Sequence, residues 1–153
     1  NASSSLFPSE SKYLAVLELS GLPIETVPNS IGELFNLKYL GLNNTNVKIL
    51  PKSVTKLHNL ETLSLRDTDC LSLPRGSEKL KRVRHIIILK LLDKTYASFK
   101  CFEPMEPLEG LWNLKDLQTL GAVRASKIFV SKLASLSQLR ILNIVGVRSS
   151  HCA

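Results

Sequence analysis

Three cysteines, three histidines and a run of glutamates are the residues of this chain whose types suit nucleophilic, acid–base or metal chemistry. Their spacing argues against all three. Cys70, Cys101 and Cys152 are odd in number and far apart, so neither a disulfide framework nor a zinc pattern of paired ligands can be built from them. No Asp or Glu can be assigned as a fixed partner that would make His58, His85 or His151 a base. Glu103, Glu106 and Glu109 share a Pro-rich stretch, which is a solvated loop rather than a catalytic carboxylate pair. No Gly-x-x-x-x-Gly-Lys-Ser/Thr occurs, so no nucleotide-phosphate site is expected. The expectation is a chain without catalytic residues, metal, cofactor or small-molecule substrate. Asn1 and Asn43 satisfy the glycosylation pattern, as short motifs do by chance.

Charge is the chemistry that remains. The 153 residues carry 20 Lys plus Arg against 13 Asp plus Glu, and they are 44% hydrophobic and 22% charged. That composition belongs to one folded domain, and the longest apolar stretch, Tyr13 to Leu17, is far too short to span a bilayer. Lys79, Lys81, Arg82 and Arg84 stand in a basic cluster running from Arg75 to Lys100, and they form a candidate docking patch. Nucleic acid would require stacking platforms beside that charge, and none is apparent; a solvated face, or docking to an acidic protein surface, fits better. The opening Asn-Ala-Ser-Ser-Ser, without Met or a signal peptide, reads as an excised fragment, and the cysteine usage suggests a reducing compartment.

The elements that position these residues follow from a period of 23. Leu14, Leu17 and Leu19 become Leu37, Leu40 and Leu42, then Leu60, Leu63 and Leu65, then Val83, Ile86 and Ile88. Pro28, Pro51 and Pro74 keep the same step, as do Ile24, Val47 and Cys70, which makes Cys70 a core residue. A longer turn follows, to Leu117, Leu120 and Ala122, and a last one to Leu139, Leu142 and Ile144. Leu-x-x-Leu-x-Leu places a short strand with one buried face at the head of each turn. Thr45 and Thr68 then bond a turning backbone, a Pro ends the ladder, and Ile31 with Leu34 or Val54 with Leu57 form one helical turn. One copy cannot bury its apolar side alone, so the copies must stack into a curved α/β solenoid with a parallel sheet on its concave face. The predicted organisation is a single unit of about six turns: a flank at 1–12, regular repeats at 13–92, an insertion at 93–110 and truncated distal repeats at 111–153.

These residues resemble leucine-rich repeats. The run from Leu17 to Leu40 is similar to the cytoplasmic repeats of plant nucleotide-binding disease-resistance proteins, and Leu114 to Leu120 and Leu136 to Leu142 are similar to distal repeats of the coiled-coil subgroup. Extracellular plant repeats run one residue longer with Gly-x-Ile-Pro, which is absent here. The resemblance implies a protein-recognition and autoinhibitory module that binds a pathogen effector, a guarded host protein or the receptor's own nucleotide-binding domain. It also implies residence in the cytoplasm or at the inner face of the plasma membrane. The Leu-Pro-x-Ser turns also resemble intracellular repeat adaptors, so a free-standing scaffold is the rival reading.

In such a solenoid the residues between the buried ones face the concavity. The first column is Val16, Tyr39, Thr62, His85, Thr119 and Ile141; the second is Glu18, Gly41, Ser64, Ile87, Gly121 and Asn143; the third is Ser20, Asn43, Arg66, Leu89, Val123 and Val145. The columns turn apolar along the chain, so Ile87 and Leu89 need a cover, either a partner or the insertion folding back with Tyr96, Phe99, Phe102 and Met105. Trp112 is expected to pack the insertion against the next turn, and an uncovered edge at Ile141 to Val145 is expected to self-associate.

Overall fold

The computed structural model describes residues 9–92, 102–148 and 151. Each turn opens with a strand: β1 (Val16–Glu18), β2 (Tyr39–Gly41), β3 (Thr62–Arg66), β4 (His85–Leu91), β6 (Thr119–Arg124) and β7 (Ile141–Val145). They form one parallel sheet in the order β1-β2-β3-β4-β6-β7, and a two-residue strand, β5 (Phe102–Glu103), pairs with β4 outside that path. The register is the period itself, with Leu17 opposite Leu40, Leu40 opposite Leu63 and Leu63 opposite Ile86. The α/β solenoid read from the sequence is the fold observed.

The return path of each turn is tight. Pro28 and Pro51 hold extended backbone just before the 3-10 turns Asn29–Glu33 and Lys52–Lys56, which bury Ile31 and Val54. So few residues lie between Pro and the next leucine that i→i+3 bonds, which rise faster per residue, suit them better than an α-helix. Among the described residues the last convex segment is the one with an α-helix: α1 (Lys127–Lys132), capped by Ser126 Oγ accepting from the Phe129 amide. The core is the stacked leucine columns of turns two to five, whereas Leu17, Leu19, Leu142 and Ile144 at the two ends are only partly covered.

The strands end on a second column at the same spacing. Gly21, Asn44 and Asp67 all adopt left-handed backbone, with φ of 76°, 54° and 51°. Gly, Asn and Asp tolerate that region best, so the chain turns off the sheet at each of them. The next member is Lys90, and there β4 runs straight on to Leu91. Thr45 and Thr68 are buried just after the turn and donate to the carbonyls of Leu42 and Leu65, as the pattern predicted.

Two covers were open for Ile87 and Leu89, a partner or the insertion folding back, and the described part of the long turn joins the sheet. Tyr96 and Phe99 lie outside the described residues. Phe102 and Glu103 pair antiparallel with Leu91 and Lys90, and Met105 lies alongside Val123 as a parallel rung. The Met105 amide donates to Ala122 O at 2.8 Å and its carbonyl accepts from Arg124 N at 2.9 Å, while its side chain is fully buried. The insertion is therefore wedged into the sheet between the diverging ends of β4 and β6. Gly121 permits the close approach of β6 to β4 beside the wedge, because a Cβ there would stand 2.4 Å from Ile88 O and 2.6 Å from Ile88 N. The chain bulges at this point: Leu120 pairs with Leu142, but Val123 pairs with Ile144 and Arg124 with Val145. That corrects the third column. Val123 is fully buried, and Arg124 is the exposed residue at that place.

Candidate functional site

The concave face has a polar half and an apolar half. Glu18 on β1 folds across β2: its carboxylate accepts from Tyr39 Oη at 2.9 Å and from the amide and hydroxyl of Ser20. Gly41 makes room for it, since a Cβ at 41 would sit 2.3 Å from Glu18 Oε1. The Ser20 hydroxyl bond, with those from Tyr39 and the backbone, holds the Glu18 carboxyl below its usual range. Burial, and then the bond to Glu18, raise the Tyr39 phenol.

A lateral relay runs along the strand ends. Ser20 Oγ accepts from Asn43 N at 2.9 Å, Asn43 Oδ1 from Arg66 N at 2.8 Å and Ser64 Oγ at 2.7 Å, and Asp67 Oδ1 from Leu91 N at 3.1 Å. Each side chain satisfies an amide of the following turn where the ladder frays. Ser20 and Asn43 are thus structural as well as surface residues, and the carbonyl of the Asn43 amide is committed to the relay. Ser64, predicted to face a partner, is buried at 3% beneath that network, and Thr62 is half-buried.

Arg66 is exposed, and none of the ion pairs among the described residues involves it. Beside it Ile87 and Leu89 are half-buried, while Ile86 and Ile88 on the other parity lie in the core. Leu91 continues the same parity, and its antiparallel partner Phe102 adds an aromatic ring, both half-buried. The outcome is an apolar strip, Ile87-Leu89-Leu91-Phe102, bordered by Arg66 on one side and Arg124 on the other. Sequence reading missed Leu91, Phe102 and Arg124 as parts of this face; the alternation in His-Ile-Ile-Ile-Leu-Lys-Leu extends to Leu91, but nothing repeats to place Phe102. His85 closes the near end, its Nδ1 3.0 Å from Thr119 Oγ1. Farther along, Val16 at one edge of the sheet and Ile141 with Asn143 at the other are exposed and do not join the strip.

Below the strip the insertion is pinned by charge. Lys90 Nζ lies 2.5 Å from Asp69 Oδ1 and 3.4 Å from Glu103 Oε2, and Arg124 Nε lies 2.6 Å from Glu106 Oε1. The bond between Asp69 and Lys90 lowers the carboxyl and raises the ammonium.

The predicted basic patch is divided. Arg82 donates to Asn59 Oδ1 at 2.9 Å, and Lys81 to the carbonyls of Glu78 at 2.9 Å and Asn113 at 3.4 Å, so both tie neighbouring turns together. Lys79 and Arg84 are exposed, with no side-chain hydrogen bond or ion pair among the described residues. A cleft of about 720 Å³ opens between Arg75, Glu78, Glu106, Glu109 and Trp112. Nothing there pairs a nucleophile with a base. Cys70 is fully buried, which raises its thiol, and no group of three His, Cys, Asp or Glu among the described residues stands close enough to hold a metal.

Among solved structures, residues over 87% of the chain superpose on the leucine-rich-repeat ectodomain of the Arabidopsis thaliana membrane receptor kinase GASSHO1/SCHENGEN3, solved with CASPARIAN STRIP INTEGRITY FACTOR 2, at TM-score 0.62 and 18% identity. The ectodomain of the Arabidopsis receptor kinase HAESA, solved with an extended IDA peptide hormone, matches over 90% of the chain at TM-score 0.57 and 19% identity. The chain spans 16% and 26% of those two chains, and at these identities the likeness is one of fold. No curated protein sequence matches significantly. The family described as leucine-rich repeat region matches residues 2–152, and with the 23-residue period, the parallel sheet and the stacked leucine columns this chain belongs to the leucine-rich repeat family.

Proposed function

We propose that this chain is a protein-recognition module whose concave strip seats a partner segment, within a plant intracellular immune receptor. The observation that carries the recognition role is the apolar strip bordered by Arg66 and Arg124. Half-buried apolar side chains on an open sheet face, ringed by charge, match the centre and rim of a protein interface. Both plant ectodomains named above were solved with a partner bound, a peptide hormone for HAESA, which agrees with recognition of a protein segment. The receptor assignment rests on the resemblance of Leu17–Leu40 and of the Leu-Gln-Thr-Leu ending to cytoplasmic resistance proteins, and on the missing Gly-x-Ile-Pro. In that reading the partner is a pathogen effector, a guarded host protein or the receptor's own nucleotide-binding domain, and the module works in the cytoplasm. Autoinhibition then requires the partners to favour different states of the receptor.

The coding sequence upstream of Asn1 tests the receptor assignment. The expected result is a phosphate-binding loop a few hundred residues before Asn1. A reading frame in which the repeats follow a signal peptide and precede a membrane-spanning helix overturns it in favour of an ectodomain. A frame holding the repeats alone overturns it in favour of a free-standing scaffold.

A further inference from the structure

Charge is arranged differently on the two flanks of this chain. Call the ends of the convex 3-10 turns, with the loops that carry the chain from them into the strands, the leading flank, and the loops that leave the strands the trailing flank. On the trailing flank Asp69 and Glu103 pair Lys90, and Glu106 pairs Arg124, with Lys48 exposed on the same flank. The leading flank is basic on balance, its exposed Glu33 and Asp116 outnumbered by Lys and Arg. Lys56, Lys79, Arg84 and Lys115 are exposed along it, and Lys38 with Glu61, at 3.8 Å, is the ion pair it shows among the described residues. The excess that the sequence places between Arg75 and Lys100 is thus one part of a stripe that crosses several turns, while Lys90 lies on the opposite flank.

Two aromatic rings share the basic flank. Tyr13, which closes the 3-10 turn Ser9–Tyr13, is 73% exposed and Phe35, in the loop before β2, is 58% exposed, and the Lys12 ammonium stands 5.3 Å from the Tyr13 ring centroid. Turns stacked at about 4.8 Å line up equivalent loop positions, so the flank is a strip of residues in rows rather than a groove. A single strand of nucleic acid would require a channel that tracks its backbone. Rows of cations beside exposed aromatic rings, on a flank whose carboxylates they outnumber, suit the headgroup region of an anionic bilayer.

We propose that the leading flank is a docking face for an anionic lipid surface, with Lys56, Lys79 and Arg84 supplying attraction and Phe35 and Tyr13 entering the headgroup layer. The observation is independent of what the concave strip binds.

The test is co-sedimentation of the whole chain with phosphatidylcholine vesicles, with or without about 30% phosphatidylserine. The chain should pellet with the anionic vesicles and stay in solution with the neutral ones. The triple variant Lys56→Gln/Lys79→Gln/Arg84→Gln should weaken partitioning by roughly 100-fold at low salt, and Phe35→Ser should weaken it in a way salt does not restore. None of these side chains forms a hydrogen bond or ion pair among the described residues, so the fold is spared, and circular dichroism verifies that. Lys48→Gln, on the trailing flank, should change nothing. Failure to pellet with anionic vesicles overturns the proposal, as does equal partitioning of the triple variant. Binding to polyglutamate or to an oligonucleotide without vesicle binding also overturns it, and assigns the flank to an acidic protein or to nucleic acid.

Discussion

Truncating Met105 probes the wedge that shapes the concave strip. Met105→Ala removes a thioether and two carbon groups from a fully buried position, leaving the backbone bonds to Ala122 and Arg124 formally intact. At roughly 0.8 kcal/mol per buried methylene equivalent, the transfer loss is about 2.5 kcal/mol, and the residual cavity brings the total to about 3–4 kcal/mol. With a urea slope of about 2 kcal/mol per molar, the midpoint should fall by about 1.5–2 M. Phe102→Ala, at a half-buried site, should cost about 1 kcal/mol. Urea denaturation followed by far-UV circular dichroism measures both, and hydrogen exchange at the Met105 and Arg124 amides reports whether the rung opens. If Met105→Ala shifts the midpoint by less than about 0.3 M at unchanged slope, Met105 is not seated between β4 and β6, and the position of Phe102 in the strip loses its support.

Gly121→Ala should destabilise the chain by about 2 kcal/mol or more, because its Cβ meets Ile88 backbone that cannot step aside. Gly41→Ala meets the end of the Glu18 side chain instead, which can swing away; it should cost under about 1 kcal/mol and lower the Tyr39 phenol, read by ultraviolet titration. Glu18 and Asp69 are depressed from ordinary values of 4.5 and 3.8, so their stabilisation is present above those values and is lost as pH falls through the lower folded ones. Thermal melts should therefore weaken into strong acid, and the slope should be shallower in Lys90→Met; equal slopes refute the pairing. Ile141 is 54% exposed on β7, whose outer edge has no strand beside it among the described residues. Concentration-dependent association in sedimentation velocity should thus diminish in Ile141→Lys, and a monomer at all concentrations would contradict it.

The period made most of the fold legible, because every copy reports the same positions and errors in one are corrected by the others. Leu40, Leu63 and Ile86 fall opposite one another as the step of 23 demands. Legibility ended where repetition did. The bulge at Gly121–Ala122 adds a residue within a strand, so extrapolation from Leu120 put Val123 on the surface and hid Arg124. Met105 reads as one apolar residue in a Pro-rich loop, and only the pairing of β5 with β4 delivers it to the core. A further signal was present and passed over: Gly21, Asn44 and Asp67 stand 23 apart, all of them residues that accept left-handed backbone, and Lys90 at the next place marks where the regular turn stops. Ser64 shows the opposite failure, since alternation sets which face a side chain takes but not whether Asn43 folds over it.

The strip Ile87-Leu89-Leu91-Phe102 and its border Arg66 are proposed to seat a protein segment. A peptide selected against the chain from a random display library, titrated by calorimetry against the wild type and Arg66→Glu/Ile87→Asp, tests it most directly. Loss of two central contacts should weaken binding by about 100-fold or more, while Lys79→Gln on the leading flank should leave it within about twofold. Unchanged affinity in the concave variant, or a loss confined to the flank variant, would contradict the account.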